Sequence, residues 1–350
     1  MKTLEGKIAL VTGAGTGIGR ATALMLAAEG ARVAVAGRRK EPLEQVVAEI
    51  QRDKGTAASK TCDLTKPHDA RELGAWAVKT FGGVDILVNN AGHSSHARSI
   101  RWVGQDEWDA VLGVNTTGVY ALTQTLLPSM LERGAGTVIT VASMAALRPG
   151  GFSGVAYGVA KAGARAMMQA LHTELRNRGI RATTILPAEV DTPILDKRPL
   201  VPDAQARSTM MQAEDVARAI LTCCTMPSRT VIEEIVMSPT FQRDTSKDVA
   251  AAYAAGAHLA RDTDERGARV GTGRGPIHDQ CESIGGRRQD TEAVTRPGRR
   301  WEGHGAVVRS ITRGRERASV GAPEREGAPV TVPWPDSVNG PVIVNCVGLS

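Results

Sequence analysis

Short apolar runs alternate with longer segments of helical period along residues 7–243. The runs are rich in Val, Ile and Leu, which is typical of strands that are buried on both faces of a parallel sheet. The intervals between them are long enough to hold the helices that connect parallel strands. The pattern therefore predicts an α/β fold, with a single doubly wound parallel sheet flanked by helices.

Strands and long helices are assigned from this pattern. The predicted strands are Ile8–Val11, Val33–Ala36, Ala57–Cys62, Ile86–Asn89, Thr137–Val141, Ala182–Leu186 and Ile232–Met237. The predicted helices include Glu107–Glu132, Val155–Asn177 and Ala213–Cys224. Since open parallel sheets bind ligands at the carboxyl ends of their strands, we expect the functional residues at that edge.

The composition changes at about residue 245. Arginine outnumbers lysine by fourteen to one after that point, against nineteen to nine before it, and apolar periodicity fades. Such a segment cannot build a packed face. We therefore predict a domain over residues 1–245 and a disordered, low-complexity, Arg- and Gly-rich tail over residues 246–350. Thirteen acidic residues nearly balance the fifteen basic ones of the tail, which argues against nucleic-acid binding; a non-native reading frame or a fused terminus is a further hypothesis.

Bulk properties narrow the class of protein. An apolar content of 42% is sufficient for a core, and an aromatic content of 3% leaves that core to aliphatic residues and Met. The first residues lack the apolar region of a signal peptide, and no run of 18 apolar residues could span a membrane. We expect a cytoplasmic protein without a membrane partner. The five cysteines form no metal-type spacing, so reduced thiols and no metal site are expected.

A glycine-rich segment, Thr12-Gly-Ala-Gly-Thr-Gly-Ile-Gly19, joins the first predicted strand to a helix. Glycines serve ordinary turns, but at a first strand-to-helix junction they let the backbone approach a pyrophosphate, which the helix N-terminus attracts. This position predicts a dinucleotide site. The predicted contacts are Gly13, Gly15, Thr16, Gly17, Ile18 and Gly19.

The second predicted strand ends at Gly37, where an acidic residue would bind a ribose 2′-hydroxyl and repel a 2′-phosphate. Three cations follow Gly37, beginning with Arg38, so the sequence favours NADP(H), with NAD(H) as the alternative. The same cations would also suit a solvated helix start. Further candidate cofactor contacts are Asp63, Leu64 and Asn90 at the ends of later strands, although Asn90 could equally tie neighbouring strands together.

Tyr157 and Lys161 lie four residues apart in a predicted helix, so their side chains share one face. A tyrosine titrates near pH 10 and needs a nearby cation to exchange protons at neutral pH. Lys161 could supply that charge. Such a spacing also occurs in ordinary exposed helix pairs, so its meaning depends on the preceding residues.

Taken in order, these segments resemble the motif series of the short-chain dehydrogenase/reductase family, whose sheet is of the Rossmann type. The matching residues are Thr12–Gly19, Asp63, Asn89–Gly92, Asn115, Ser143, Tyr157 and Lys161. Pro187–Pro193 is similar to the family's Pro-Gly-x-Val-x-Thr element, with Ala188 in place of glycine. The resemblance covers about residues 3–243 and leaves the tail outside.

The resemblance implies an NAD(P)-dependent enzyme that moves a hydride between a nicotinamide and a secondary alcohol or carbonyl. Tyr157 would be the acid/base, and Lys161 would lower its pKa and bind the nicotinamide ribose. Ser143 would hold the substrate oxygen together with Tyr157, and Asn115 would belong to a water-mediated proton relay, a capping or surface role being its alternative. Val190 and Thr192 would close over the nicotinamide amide. Relatives imply a homotetramer or homodimer.

The substrate side is less defined. Residues 194–208 lack a clean period and suit a mobile lid over the substrate. Lys197, Arg198 and Arg207 would either meet an anionic substrate or be surface charges, and His93, Ser94 and Ser95 are candidate pocket residues.

Two other functions are compatible with the fold. A binding protein could retain the nucleotide and sense its redox state without turnover, although Ser143, Tyr157 and Lys161 argue against it. An epimerase or dehydratase would need an added acid/base pair and usually a larger carboxyl-terminal domain, which the tail does not resemble.

Overall fold

The structure is a computed structural model of the 350-residue chain and describes residues 2–257. Seven parallel strands form one sheet in the order β3-β2-β1-β4-β5-β6-β9, and β7 pairs with β8 in a separate parallel pair. The strands are β1 (Ile8–Thr12), β2 (Arg32–Gly37), β3 (Ala57–Thr61), β4 (Ile86–Asn89), β5 (Gly136–Val141), β6 (Ile180–Pro187), β7 (Val190–Asp191), β8 (Met211–Gln212) and β9 (Glu234–Met237).

Helices connect the strands and cover the sheet. They are α1 (Gly17–Ala28), α2 (Lys40–Arg52), α3 (Pro67–Phe81), α4 (Gln105–Leu112), α5 (Gly118–Glu132), α6 (Val155–Leu175), α7 (Ala204–Ser208), α8 (Ala213–Thr225) and α9 (Ser246–Ala254). A π-helical turn (Gly113–Thr117) joins α4 to α5, and short 3-10 turns lie at Met144–Ala146, Arg176–Arg178 and Pro193–Lys197. No helix among residues 2–257 is long and apolar enough to cross a membrane.

The apolar core lies in two layers, one on each face of the sheet. Successive residues of β1 alternate between them: Ala9 and Val11 pack with α1, α2 and α8, whereas Leu10 packs with α3, α5 and α6. All three side chains are fully buried. Because side chains alternate across a strand, a strand covered on both faces must be apolar throughout, as the sequence pattern indicated. The predicted doubly wound parallel sheet is confirmed.

The predicted elements differ from the structure in two places that shape the site. The helix predicted over Glu107–Glu132 is interrupted by the π-helical turn, which leaves Asn115 between two α-helices. The pair of β7 and β8 was not predicted, because two-residue strands are too short to show alternation. Ala188 just before β7 does not have a positive φ, so the loop accommodates alanine where the family pattern has glycine.

Helix α9 begins at residue 246, inside the stretch that the sequence analysis assigns to the tail. Asp248 and Ala252 of α9 are buried, and Asp248 accepts two hydrogen bonds from Arg243 at 2.8 and 2.9 Å. One buried charge and one alanine give too weak a period to be recognised as a packed helix. The prediction that the tail is disordered concerns mainly residues 258–350, which lie outside the described part of the chain.

The cysteines of the described region are reduced. Cys62, Cys223 and Cys224 are free and buried, and burial raises the pKa of Cys62 and of Cys224 to about 12. They behave as small core side chains rather than as reactive thiols. Cys281 and Cys346 lie outside the described residues.

Candidate active site

A cavity of about 1160 Å³ opens at the carboxyl ends of the central strands. The strand order reverses between β1 and β4, and the connections on either side of this point leave a crevice between them. One end of the cavity reaches Arg38 after β2, and the other reaches Thr245 before α9. We refer to these as the nucleotide end and the substrate end.

The nucleotide end is shaped by glycines. Gly13 has a φ of +63°, and a Cβ added there would lie 2.8 Å from Cα of Ala91. A Cβ on Gly19 would lie 2.3 Å from the carbonyl oxygen of Gly13, so Gly19 allows α1 to pack against the loop. Gly19 itself does not line the cavity. The other predicted contacts of this segment, Gly13, Gly15, Thr16, Gly17 and Ile18, all do.

Asn90 ties the ends of β1 and β4 together. Its Nδ2 donates to the carbonyl oxygen of Thr12 at 2.9 Å, and its backbone N–H donates to Oγ1 of Thr12 at 3.0 Å. The structural alternative for Asn90 therefore holds. Because Asn90 also lines the cavity, a ligand contact remains compatible with it.

The residues after β2 and β3 form the outer wall of the nucleotide end. Arg38 is exposed and lines the cavity with Asp63 and Leu64. Burial opposes the ionisation of Asp63, but two hydrogen bonds from Thr65, at 3.1 and 2.9 Å, and the charge of Arg38 keep the pKa of Asp63 below its usual value. Arg39 lines the cavity as well, so the wall carries two cations and one ionised carboxylate.

Ser143, Tyr157 and Lys161 meet in the middle of the cavity. Ser143 follows β5, accepts a hydrogen bond from the N–H of Ala145 at 3.1 Å, and lies near the hydroxyl of Tyr157, whose pKa it lowers. Lys161 lies one turn after Tyr157 on α6, with Nζ 5.6 Å from the centroid of the Tyr157 ring. Its ammonium is buried and donates to the carbonyl oxygen of Val141 at 2.8 Å. The three predicted catalytic side chains are therefore brought together.

Burial dominates the protonation of this group. It raises the pKa of Tyr157, whereas the hydrogen bond with Ser143 and the charges of Arg198 and Arg98 lower it. The positive charges that lower the pKa of Tyr157 thus belong to two arginines, whereas the sequence analysis expected this charge from Lys161. Burial also lowers the pKa of Lys161 to about 8, so this ammonium is close to losing its own proton at neutral pH.

Asn115 lies behind the cavity wall in the π-helical turn. Its Nδ2 donates to the carbonyl oxygens of His93 and Val111 at 2.7 and 2.8 Å. Its Oδ1 is buried and accepts no hydrogen bond from the described residues. A Cβ on Gly92 would lie 3.1 Å from Oδ1 of Asn115 and 3.5 Å from Nζ of Lys161. The absence of a side chain at Gly92 therefore lets these two polar atoms approach each other.

The substrate end contains side chains that the sequence analysis missed. Arg98 is buried, lines the cavity, and donates from Nη1 to the carbonyl oxygen of Phe152. The guanidinium of Arg198 lies 4.6 Å from the centroid of the Phe152 ring. No spacing or period marks Arg98 and Phe152 in the sequence, since each lies in a connection without regular structure.

Four charged side chains form an ion chain beside this region. Glu189 accepts hydrogen bonds from Arg198 at 2.7 Å and from Arg243 at 2.9 Å, and Arg243 also contacts Asp248 at 2.8 Å. The ion chain connects the loop after β6, which carries Glu189, to Arg198 in the predicted lid and to Asp248 in α9. It closes the substrate end on the side of the carboxyl-terminal helix.

The other substrate-side candidates divide by position. Lys197, Arg198, His93 and Ser94 line the cavity, together with Val190 and Thr192. Arg207 does not, because it pairs with Asp191 at 2.8 Å and with Asp196 at 2.5 Å. Ser95 is buried behind the wall. The predicted lid contains the 3-10 turn Pro193–Lys197, which borders the cavity, and α7.

Comparison with known proteins identifies the family. A family model described as short chain dehydrogenase matches residues 7–200. An oxidoreductase of Staphylococcus aureus strain MW2, itself uncharacterised, is 36% identical over 245 residues, which are 68% of this chain and 100% of that protein. The chain belongs to the short-chain dehydrogenase/reductase family. It is accordingly an oxidoreductase with a Rossmann-type sheet.

Solved structures of this family superimpose on the chain. A metagenomic short-chain oxidoreductase in complex with NADP is 29% identical with a TM-score of 0.60, covering 69% of this chain and 100% of that one. A 3-ketoacyl-(acyl-carrier-protein) reductase of Brucella melitensis complexed with NADH is 32% identical with a TM-score of 0.60, covering 67% and 97%. Both structures hold a nicotinamide dinucleotide.

Proposed function

We propose that this protein is an NADP(H)-dependent oxidoreductase that interconverts a secondary alcohol and a carbonyl compound. The observation that carries the proposal is the placement of Ser143 and Tyr157 beside each other, one helical turn from the buried Lys161, inside a cavity that continues to the glycine-rich loop. These are the donors that a carbonyl oxygen needs as it becomes an alcohol.

The nucleotide end fits a nicotinamide dinucleotide. The bare backbone at Gly13 and the N-terminus of α1 suit a pyrophosphate, since glycine permits close approach and the helix end attracts negative charge. Arg38 suits a 2′-phosphate, and no acidic residue follows β2 directly to repel one. The NADP complex of the metagenomic relative supports this preference, and the NADH complex of the Brucella relative keeps NAD(H) as the alternative.

The protein's own residues supply binding and proton transfer. The bound nicotinamide would give a hydride to the carbonyl carbon or accept one from the alcohol. Tyr157 donates its hydroxyl proton to the carbonyl oxygen during reduction and takes it back during oxidation, while Ser143 donates a hydrogen bond to the same oxygen. The charges of Arg198 and Arg98 favour the tyrosinate that forms. Val190 and Thr192 would contact the nicotinamide amide.

Asn115 and Lys161 would return the proton to Tyr157. A buried acceptor without a protein partner, such as Oδ1 of Asn115, is a position that an ordered water binds. A water between this oxygen and Nζ of Lys161 would connect the ammonium to the backbone oxygen of His93 through the Asn115 amide. This supports the predicted relay role of Asn115 over a surface role, because the side chain is buried.

The proposal is tested by a panel of ketones, aldehydes and secondary alcohols with both nicotinamide cofactors, followed by cofactor absorbance. We expect turnover of at least one pair, with NADP(H) preferred. Tight binding of NADPH without turnover across the panel would instead support the redox sensor. We also propose a homodimer or homotetramer formed through the long helices α5 and α6, which light scattering would measure.

A further inference from the structure

Arg98 is a buried cation that has no carboxylate partner among residues 2–257. Only 5% of its surface is exposed, and Nε and Nη1 donate to the backbone oxygens of Ser95 and Phe152. None of the carboxylates within residues 2–257 lies within ion-pair distance of its guanidinium. A buried charge is costly unless an opposite charge compensates it. The part of the chain that the structure describes therefore does not supply Arg98 with the partner that its burial calls for.

The neighbouring ion chain does not supply that partner. Its two cations, Arg198 and Arg243, are matched by two anions, Glu189 and Asp248, so the chain is neutral by itself. Glu107, the other acidic side chain near Arg98, accepts hydrogen bonds from the backbone N–H groups of residues 96 and 97. The exposed Lys197 adds positive rather than negative charge. The substrate end of the cavity thus has an excess of positive charge.

Arg98 also lies close enough to the reaction centre for its charge to act on Tyr157. It lines the same cavity as Ser143 and Tyr157, and its charge acts on the phenol of Tyr157. Burial and the charge of Arg198 lower the pKa of Arg98 to about 10, which leaves the guanidinium charged at neutral pH. Phe152 separates the two arginines, with its carbonyl oxygen on Arg98 and its ring under Arg198. A ligand beside Tyr157 would lie in the same cavity as the buried guanidinium of Arg98.

We propose that Arg98 binds a carboxylate of the substrate, so that the enzyme acts on oxo acids and the corresponding hydroxy acids. A planar guanidinium recognises a carboxylate by two parallel hydrogen bonds, and one carboxylate would compensate the buried charge of Arg98. The proposal rests on the proposed function of Ser143 and Tyr157. In the reduction, the oxo carbon gains a hydride from NADPH and its oxygen gains a proton from Tyr157. The products are the hydroxy acid and NADP⁺, and the carboxylate is unchanged.

The test compares matched substrates that differ only in charge. Hydroxy acids with the hydroxyl at carbon 2, 3 or 4 are assayed with NADP⁺ beside their methyl esters. For the best pair we expect kcat/KM of the acid to exceed that of the ester by at least about 10²-fold, as for a desolvated charge-assisted hydrogen bond. Arg98→Met should reduce this ratio to near one, mainly by loss of turnover of the acid. The control Arg101→Met changes an exposed arginine of the same loop and should leave the ratio unchanged.

Each other outcome is decisive. An equal loss for acid and ester in Arg98→Met would show that Arg98 acts through Tyr157 or the fold, and would overturn the proposal. If Arg98→Met does not fold, Arg98→Lys retains the charge without the planar fork and should give an intermediate ratio; an unchanged ratio there would also overturn it. Preference of the native enzyme for neutral alcohols, or for phosphorylated ones, would overturn the carboxylate assignment while the proposed function stands.

A binding measurement separates the two proposals. If no substrate is turned over, the proposed function fails, and calorimetric titration of the same hydroxy acids into the NADP⁺ complex then tests Arg98 alone. Binding to the native protein that is lost in Arg98→Met and retained in Arg101→Met would support the carboxylate site. Equal binding to all three proteins, or none to the native protein, would overturn it.

Discussion

The two ends of the cavity differ in the chemical groups that line them. At the nucleotide end the surface includes bare backbone at glycines such as Gly13, and Asn90 ties β1 to β4 there. At the substrate end it consists of long side chains, including Arg98, Phe152 and Arg198, which come from separate connections. A backbone surface changes little with substitution, whereas a side-chain surface changes with each one. The comparison suggests that this fold keeps cofactor binding constant while selectivity is set at the other end.

The largest effect is expected where the two ends meet. Tyr157→Phe removes the transferable proton and leaves the glycine-rich loop intact, so kcat should fall at least about 10²-fold while the dissociation constant of NADPH stays nearly unchanged. Steady-state kinetics and a fluorescence titration measure the two quantities. The control Tyr120→Phe alters an exposed tyrosine of α5 and should change neither. Parallel losses of turnover and cofactor binding would argue against separate ends.

The second effect concerns the ion chain that closes the substrate end. Asp248→Asn removes the charge that Arg243 contacts, and we expect a loss of stability of about 1–3 kcal/mol, as for a buried charge-assisted hydrogen bond. Chemical denaturation measures it, with the exposed Asp106→Asn as control. Substrate turnover should fall and cofactor binding should not. Undiminished stability would mean that α9 is not held by this contact.

This contribution should depend on pH in a defined direction. Although burial opposes ionisation of Asp248, the hydrogen bonds and charge of Arg243 keep its pKa below the usual value. The stabilisation is therefore fully present above the unfolded pKa of about 3.9 and is lost as the pH falls through the lower folded pKa. The difference in melting temperature between the native protein and Asp248→Asn should be constant above about pH 5 and shrink below it.

A smaller effect is expected at the nucleotide end. A Cβ on Gly37 would lie 3.6 Å from Leu43, an ordinary contact, so Gly37→Asp can be accommodated. Its carboxylate would bind a ribose hydroxyl and repel a 2′-phosphate, shifting the ratio of kcat/KM for NADP and NAD by about tenfold towards NAD. Gly37→Ala has no charge and should retain the original ratio. An unchanged ratio in Gly37→Asp would show that cofactor choice is made elsewhere.

The smallest effect concerns Lys161 in the cofactor-free protein. Its pKa is lowered to about 8 in the folded state, whereas an unfolded lysine titrates at about 10.4. Between these values the unfolded chain binds more protons, so stability should rise with pH by at most about 1.4 kcal/mol per unit. Lys161→Met should lack this rise in urea denaturation from about pH 8 to about pH 10. Parallel curves for the two proteins would contradict the burial of the ammonium.

The nucleotide end and the reaction centre were predictable because their signals are local. Gly13 and Gly19 must be glycines because other backbone atoms approach them closely. The spacing of Tyr157 and Lys161 follows from the helical period. The family resemblance added Ser143 and Asn115. The strands were predictable because burial on both faces leaves them continuously apolar.

The substrate end was not predictable, since its contacts join residues that are distant in the chain. Arg98 contacts Phe152, which lies 54 residues later in the chain, and Glu189 contacts Arg243, which also lies 54 residues later. Helix α9 is held by contacts of this kind and shows little pattern of its own, so its sequence resembled the beginning of the tail. Short-range patterns contain no information on such pairings. The π-helical turn at Asn115 was missed for a related reason, because one extra residue barely disturbs an apolar period.

The shared position of Glu189 has a consequence for how this enzyme can vary. Arg198 and Arg243 both depend on Glu189, and Asp248 depends on Arg243, so exchanging any one of the four leaves another charge unmatched. We expect these positions to covary among close homologues rather than drift one at a time. A library meant to alter substrate selectivity should therefore diversify all four together, with Arg98 as a further variable.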